Sequence, residues 1–177
     1  MQPQASRASR PVFAVLVGGG IAATLDIVYA CISNAQYGKS PLWVFQSVAS
    51  GWLGSAAFTS GLFGGSVGLA SHYGILFAGA AVYLMASIRF PILRSRAVAC
   101  GTIFGALVYL FMNFVVLPLS AFPYKLSYPP LRLIEGLASH ALFVGIPIAL
   151  CVRLWVVPRS DAAAERPGRS APMSEQP

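Results

Sequence analysis

Residues 64–88 read GGSVGLASHYGILFAGAAVYLMASI. The run holds no Asp, Glu, Lys or Arg, and its one ionisable group outside the tyrosines is His72. As a helix rising about 1.5 Å per residue it would extend roughly 37 Å, more than the ~30 Å hydrocarbon core of a bilayer. Arg89 and Pro91 close it. A segment of this length and polarity reads as a membrane span, and three others flank it. One runs from Val12 to about Ser33 behind Pro11, one from Ala97 to about Leu117 before Pro118, and one from Leu131 to about Val157. Pro147 should kink the last of these, because it removes a helical N–H and crowds the carbonyl four residues back.

Composition agrees with the spans. The 177 residues are 56% hydrophobic and 10% charged, with mean hydropathy +0.70. A soluble domain carries roughly 25% charged residues, so this chain lacks the polar surface a water-exposed fold needs. The net charge of +7 does not indicate a nucleic-acid partner, because the basic residues sit in loops and tails rather than in one stripe. The expected partner is the lipid bilayer. Cys31, Cys100 and Cys151 show no CxxC spacing and read as small apolar packing residues. The first run is too long for a signal-peptide core and is interrupted by Gly18, Gly19, Gly20 and Asp26, so a retained first helix is expected.

Between the first two spans, Ser40-Pro41 has the form of an N-cap followed by proline at the first helical position. Helical spacing beyond it gathers Gln46, Ser47 and Ser50 with glycines on one face and Leu42, Phe45, Trp52 and Leu53 on the remainder. This predicts an amphipathic helix over about 41–58, interfacial or re-entrant, with the Gln46, Ser47, Ser50 face solvated or among headgroups on the periplasmic side. The expected fold is therefore all-α: four transmembrane helices (about 12–33, 64–88, 97–117 and 131–157) in one bundle over 12–157, plus this amphipathic helix. A basic N-terminal tail (1–11) and a C-terminal tail (158–177) are expected to be disordered.

Orientation follows from charge. With the N-terminus inside, Arg7, Arg10, Arg89, Arg94, Arg96, Arg153, Arg159, Arg166 and Arg169 are cytoplasmic, and only Lys39, Lys125 and Arg132 lie outside. Nine against three is a positive-inside bias, whereas a fifth span at 41–58 gives eight against four at best. Both termini are thus expected in the cytoplasm.

Helix rise then collects the polar residues of the spans into one layer. Measured from the inner end, Asp26 stands about 21 Å up the first span and Asn113 about 24 Å up the third. His72 lies about 12 Å below the outer end of the second span, and Glu135 and His140 about 6 and 13 Å below that of the fourth. Small residues share their faces: Gly19, Ala22 and Ala23 with Asp26, Gly68 and Gly79 with His72, Gly136 with His140. Gly101 and Gly105, with the Gly61/Gly65 and Gly64/Gly68 pairs, mark faces where helices approach closely. An ionisable group in hydrocarbon costs several kcal/mol, so this cluster is the candidate site.

Its chemistry has several readings. Buried polar groups can fix helix register or an assembly interface. Asp26, His72 and His140 would suit a proton relay or a small transporter, since imidazole titrates near neutral pH. Imidazole and carboxylate also suit a zinc, manganese or iron ion. His72 and His140, at nearly equal depth, would suit bis-His ligation of a b-type haem. The absence of a cofactor is the leading expectation, ahead of a metal ion or haem. Asn113 reads as an interhelical hydrogen-bonding residue, and Glu135, three after Arg132, as half of a local ion pair. No HExxH, G-x-S-x-G or P-loop pattern occurs and no catalytic residue is identified, so enzymatic activity is not the expectation. A homo-oligomer or a membrane-complex partner would fit the interface reading.

The stretches Gln46-Ser47-Val48-Ala49-Ser50-Gly51-Trp52-Leu53-Gly54 and Met112-Asn113-Phe114-Val115-Val116-Leu117-Pro118-Leu119-Ser120 look like those of bacterial multi-pass membrane proteins without an assigned activity. The plan of a histidine in a middle helix, a Pro-Leu outer loop and a late helix with histidine resembles the YagU-type inner-membrane proteins. The resemblance covers about Val12 to Val157. It implies a bacterial inner-membrane location and little chemistry.

Overall fold

The computed structural model describes residues 9–125 and 127–156. All regular structure among them is helical, as the all-α expectation requires. Five helices carry the fold: α1 (Ser9–Ala35), α2 (Pro41–Leu53), α3 (Gly61–Arg89), α4 (Ala97–Leu119) and α5 (Pro130–Val156). Four of them, α1, α3, α4 and α5, are long and apolar enough to cross a membrane. The two tails fall outside the described residues, except that α1 begins at Ser9. Residues 9–11, expected in the tail, join the helix because proline is tolerated in a first helical turn.

Local chemistry sets the ends. Ser40 caps α2 by accepting a hydrogen bond from the Trp43 N–H at 3.2 Å, with Pro41 opening the helix. Gly54 ends it at φ 57°, a left-handed conformation that disfavours any side chain, and a single 3₁₀ stretch (Gly54–Phe58) leads into α3. Phe90 is extended at φ −122°, ψ 91°, the conformation favoured before proline, and α3 stops ahead of Pro91.

One proline acts differently from the sequence expectation. Helix α4 does not end at Leu117 but runs through Pro118 to Leu119. It does so through a wide π turn, Met112–Val116, in which the Leu117 N–H reaches back five residues to the Met112 carbonyl. Helix α5 passes Pro147 through a second π turn, His140–Gly145, closed by the Ile146 N–H on the Ala141 carbonyl. In both, the proline directly follows the five-residue bond. The wide turn relieves the clash between the proline ring and the carbonyl four residues earlier.

Helix α1 packs against both α3 and α5, and α5 packs in turn on α4. The buried core is built largely from small and branched residues: Ala22 and Ala23 of α1, Ala80 and Tyr83 of α3, Ile148 and Val152 of α5. Lipid tails are as apolar as these side chains, so close packing rather than hydrophobic burial holds such helices together. Gly101 and Gly105 permit the closest approach. A Cβ on Gly101 would stand 2.7 Å from the Gly145 carbonyl oxygen, and one on Gly105 would collide with the His140 carbonyl. Gly65 and Gly68 of α3 serve the same purpose against α2, and Gly64 lies against Ala57 of the 3₁₀ stretch. Gly79 and Gly61 do not, since nothing lies within 4 Å of a Cβ at either position.

That approach reverses the expectation for α2. Its polar face does not look outward: Gln46 is 6% exposed and Ser50 fully buried, with Ser47 half-buried. The Gln46 side-chain amide donates to the Gly61 carbonyl at 3.0 Å, and the Ser50 hydroxyl to the Ser47 carbonyl at 2.7 Å. Gly68 lies against the Phe45 carbonyl, so that the two backbones approach closely beside Ser50. The outward residue is Trp52 at 71% exposure.

Candidate functional site

Three helices bring one carboxylate and two imidazoles together. Asp26 of α1, 8% exposed, sits between His72 of α3 and His140 of α5. Its Oδ2 is 3.9 Å from His72 Nε2 and its Oδ1 is 3.6 Å from His140 Nδ1. Both separations exceed hydrogen-bonding range. Among the described residues, no donor comes within that range of the Asp26 carboxylate.

The surrounding bonds fix the histidines rather than the carboxylate. His72 Nε2 lies 3.0 Å from the Ala23 carbonyl oxygen, and a carbonyl only accepts, so this nitrogen carries the hydrogen. Helix α3 reaches that carbonyl because α1 is bare there: a Cβ on Gly19 would meet Phe77 Cα at 3.2 Å. His140 opens the π turn of α5, its Nδ1 3.4 Å from Ser139 Oγ and its ring edge-on to Tyr109 at 5.0 Å. Tyr73, beside His72, shares a 2.8 Å hydrogen bond with Thr24, two residues before Asp26. Ser139, Tyr109, Thr24 and Tyr73 were not singled out by sequence as site residues. The only signal for three of them is adjacency to the ionisable residues in the chain, and for Tyr109 there is none.

The cluster is reached from one end. A crevice of about 160 Å³ between α1 and α5 is lined by Asp26 and His140 at its base and by Ser33, Asn34, Arg132 and Glu135 toward the α2 end. Glu135 pairs with Arg132 at 3.4 Å, the local ion pair that the spacing implies. It belongs to the mouth of the crevice, not to the three-residue cluster. Asn113 stands apart from the cluster. Its amide donates to the Tyr109 carbonyl of its own helix at 2.9 Å, in place of the interhelical bond expected. The backbone of Asn113 supplies the interelement contact: the Leu117 N–H is diverted to Met112 and Pro118 has none, so the Asn113 carbonyl is left to accept from the Tyr128 hydroxyl.

What the arrangement can do follows from these distances. Both imidazoles stand within 4 Å of one carboxylate, so three groups that can exchange a proton are gathered at one point between the helices. The fit of this cluster to a metal is poor. Among the described residues no set of three or more His, Cys, Asp or Glu has the spacing of a metal site, and the His72 nitrogen nearest Asp26 holds a hydrogen. Haem fits no better, since the Asp26 side chain occupies the slot between the two imidazoles that a porphyrin would need. The three cysteines are free.

No family model, curated protein or solved structure matches the chain.

Proposed function

We propose that this is a multi-pass protein of a bacterial inner membrane that takes up and releases protons at Asp26, His72 and His140, in the manner of a small proton-coupled transporter or relay. The observation that carries this reading is the Asp26 carboxylate: buried among helices, without a hydrogen-bond donor among the described residues, flanked by two imidazoles and open to a polar crevice. A carboxylate so placed in hydrocarbon requires a proton, a cation or water, and intramembrane groups of this kind mark proton relays.

Charge supports the orientation. Arg89, Arg94, Arg96 and Arg153 stand at the end away from α2, and Lys39, Lys125 and Arg132 at the α2 end. With the tail arginines added, both termini belong in the cytoplasm and the crevice opens to the periplasm. Exposed residues of α4, including Ile103, Leu107 and Phe111, are where lipid or another membrane helix is met. Kinship with YagU-type proteins is part of the proposal and rests on the sequence plan alone.

The competing reading is that the cluster organises the bundle, favoured by the His72 bond to the Ala23 carbonyl, which ties α3 to α1. Infrared difference spectra of the reconstituted protein, stepped across about pH 5 to 8, separate the two. Proton handling requires a carboxyl band that changes with pH and vanishes in Asp26→Asn. If no such band appears, and Asp26→Asn lowers only the melting temperature, the organising role stands and the proton reading fails.

A further inference from the structure

The three basic residues of the α2 end, Lys39, Lys125 and Arg132, come from different segments of the chain, yet they line a single cavity of about 560 Å³. Its other polar walls include Tyr109, Asn113 and Tyr128, and among the described residues no carboxylate lines it. Glu135 offsets part of the charge of Arg132 from outside the cavity. Lys39 lies over the Trp43 ring at 4.6 Å and Arg132 over the Tyr37 ring at 4.0 Å, so both heads are held in place at the rim. The result is a cation-rich chamber at the level where a bilayer carries its headgroups.

A second cavity of about 720 Å³ adjoins it. The two share Leu117 and Phe122 in their walls. This one is an apolar cleft between α2, α3 and α4, with Trp52, Ile75, Phe111, Met112 and Val115 among its lining. Phe111 lies eight residues before the end of α4, about 12 Å deeper than Leu119, so the cleft descends into the span. Trp52, Phe111 and Leu119 are exposed along it, which leaves it open sideways to the bilayer.

A cationic chamber joined to an apolar cleft at membrane depth is complementary to one class of ligand. We propose that the protein binds an anionic phospholipid, its phosphate among Lys39, Lys125 and Arg132 and an acyl chain in the cleft against Ile75 and Val115. The site is separate from Asp26 and does not depend on the proton reading. A free phosphate would use the chamber and leave the cleft unused.

The test uses full-length protein in detergent, titrated with phosphatidylglycerol brominated on its acyl chains, with quenching of tryptophan emission as the readout. Trp155 lies at the far end of the bundle, and Trp155→Phe removes its background. Brominated phosphatidylglycerol should quench at lower mole fraction than brominated phosphatidylcholine. Each cation near a headgroup is worth about 1 kcal/mol, or roughly fivefold, so Lys39→Gln with Lys125→Gln should cut the preference by about twenty-five-fold. Both lysines are exposed, so the fold does not depend on them. Val115→Phe, which narrows the cleft without touching the cations, should weaken the anionic lipid as well. Equal quenching by the two lipids, an unchanged preference in the double variant, no effect of Val115→Phe, or displacement of the brominated lipid by inorganic phosphate at matched concentration would each overturn the proposal.

Discussion

Replacing Gly105 by alanine adds one methyl group to α4 and should destabilise the protein, whereas the same change at Gly79 of α3 should not. The new Cβ would collide with the His140 carbonyl oxygen and stand 2.7 Å from its carbonyl carbon and 2.8 Å from Ala141 Cα. Carbon contacts are optimal at about 3.5–4.0 Å, so α4 and α5 must part locally by about 1 Å. All three neighbours are backbone, and no side chain can rotate away. Overpacking of this kind costs about 1–3 kcal/mol. At Gly79 of α3 nothing lies within 4 Å of the same methyl, and alanine there should gain about 0.5–1 kcal/mol from reduced backbone freedom. The two substitutions should differ by about 2–4 kcal/mol, a separation of roughly 5–15 °C in Tm for a chain of this size. Thermal unfolding of both variants in one detergent, followed by circular dichroism, measures it. Equal melting temperatures would refute the close α4–α5 approach, and with it the placement of His140 that depends on it.

Three other outcomes follow from the packing. Tyr83→Phe removes the 2.8 Å bond from a fully buried hydroxyl to the Leu93 carbonyl and should cost about 1 kcal/mol, read as a lower Tm without loss of helix content. Gly68→Leu should push α2 away from α3, so that a cysteine placed at Ser50, unreactive to maleimide in the parent, becomes labelled; lack of labelling would mean that α2 is held by other contacts. Arg132→Gln should change stability by less than about 1 kcal/mol, because its ion pair with Glu135 is about one-third exposed on both sides; a larger loss in a denaturation series would assign that pair a structural weight its exposure does not allow.

Much of the site was legible because depth along a helix is one-dimensional. Rise per residue placed Asp26, His72 and His140 in one layer, and small residues beside each marked the sides that face other helices. Asn113 shares that depth and does not join the cluster, because depth carries no information on which helices are neighbours. Helix α4 meets α5 rather than α1, which leaves Asn113 on the far side of the bundle from Asp26. The face of α2 was read with the wrong sign for a related reason. Polar residues beside water and small polar residues beside a glycine-lined helix have the same spacing in a sequence.

The sequence by itself determined the number of apolar helices and where the chain breaks between them, since length, charge and proline or capping chemistry act locally. It also determined that Asp26, His72 and His140 lie at one level. Only the tertiary structure decided that these three meet around one carboxylate, that a crevice leads to them, and that Lys39, Lys125 and Arg132 converge on a chamber. Those outcomes depend on which helices touch and on rotation about their axes. Backbone contacts at Gly101 and Gly105 and the π turns before Pro118 and Pro147 set both, and a π turn shifts every face beyond it.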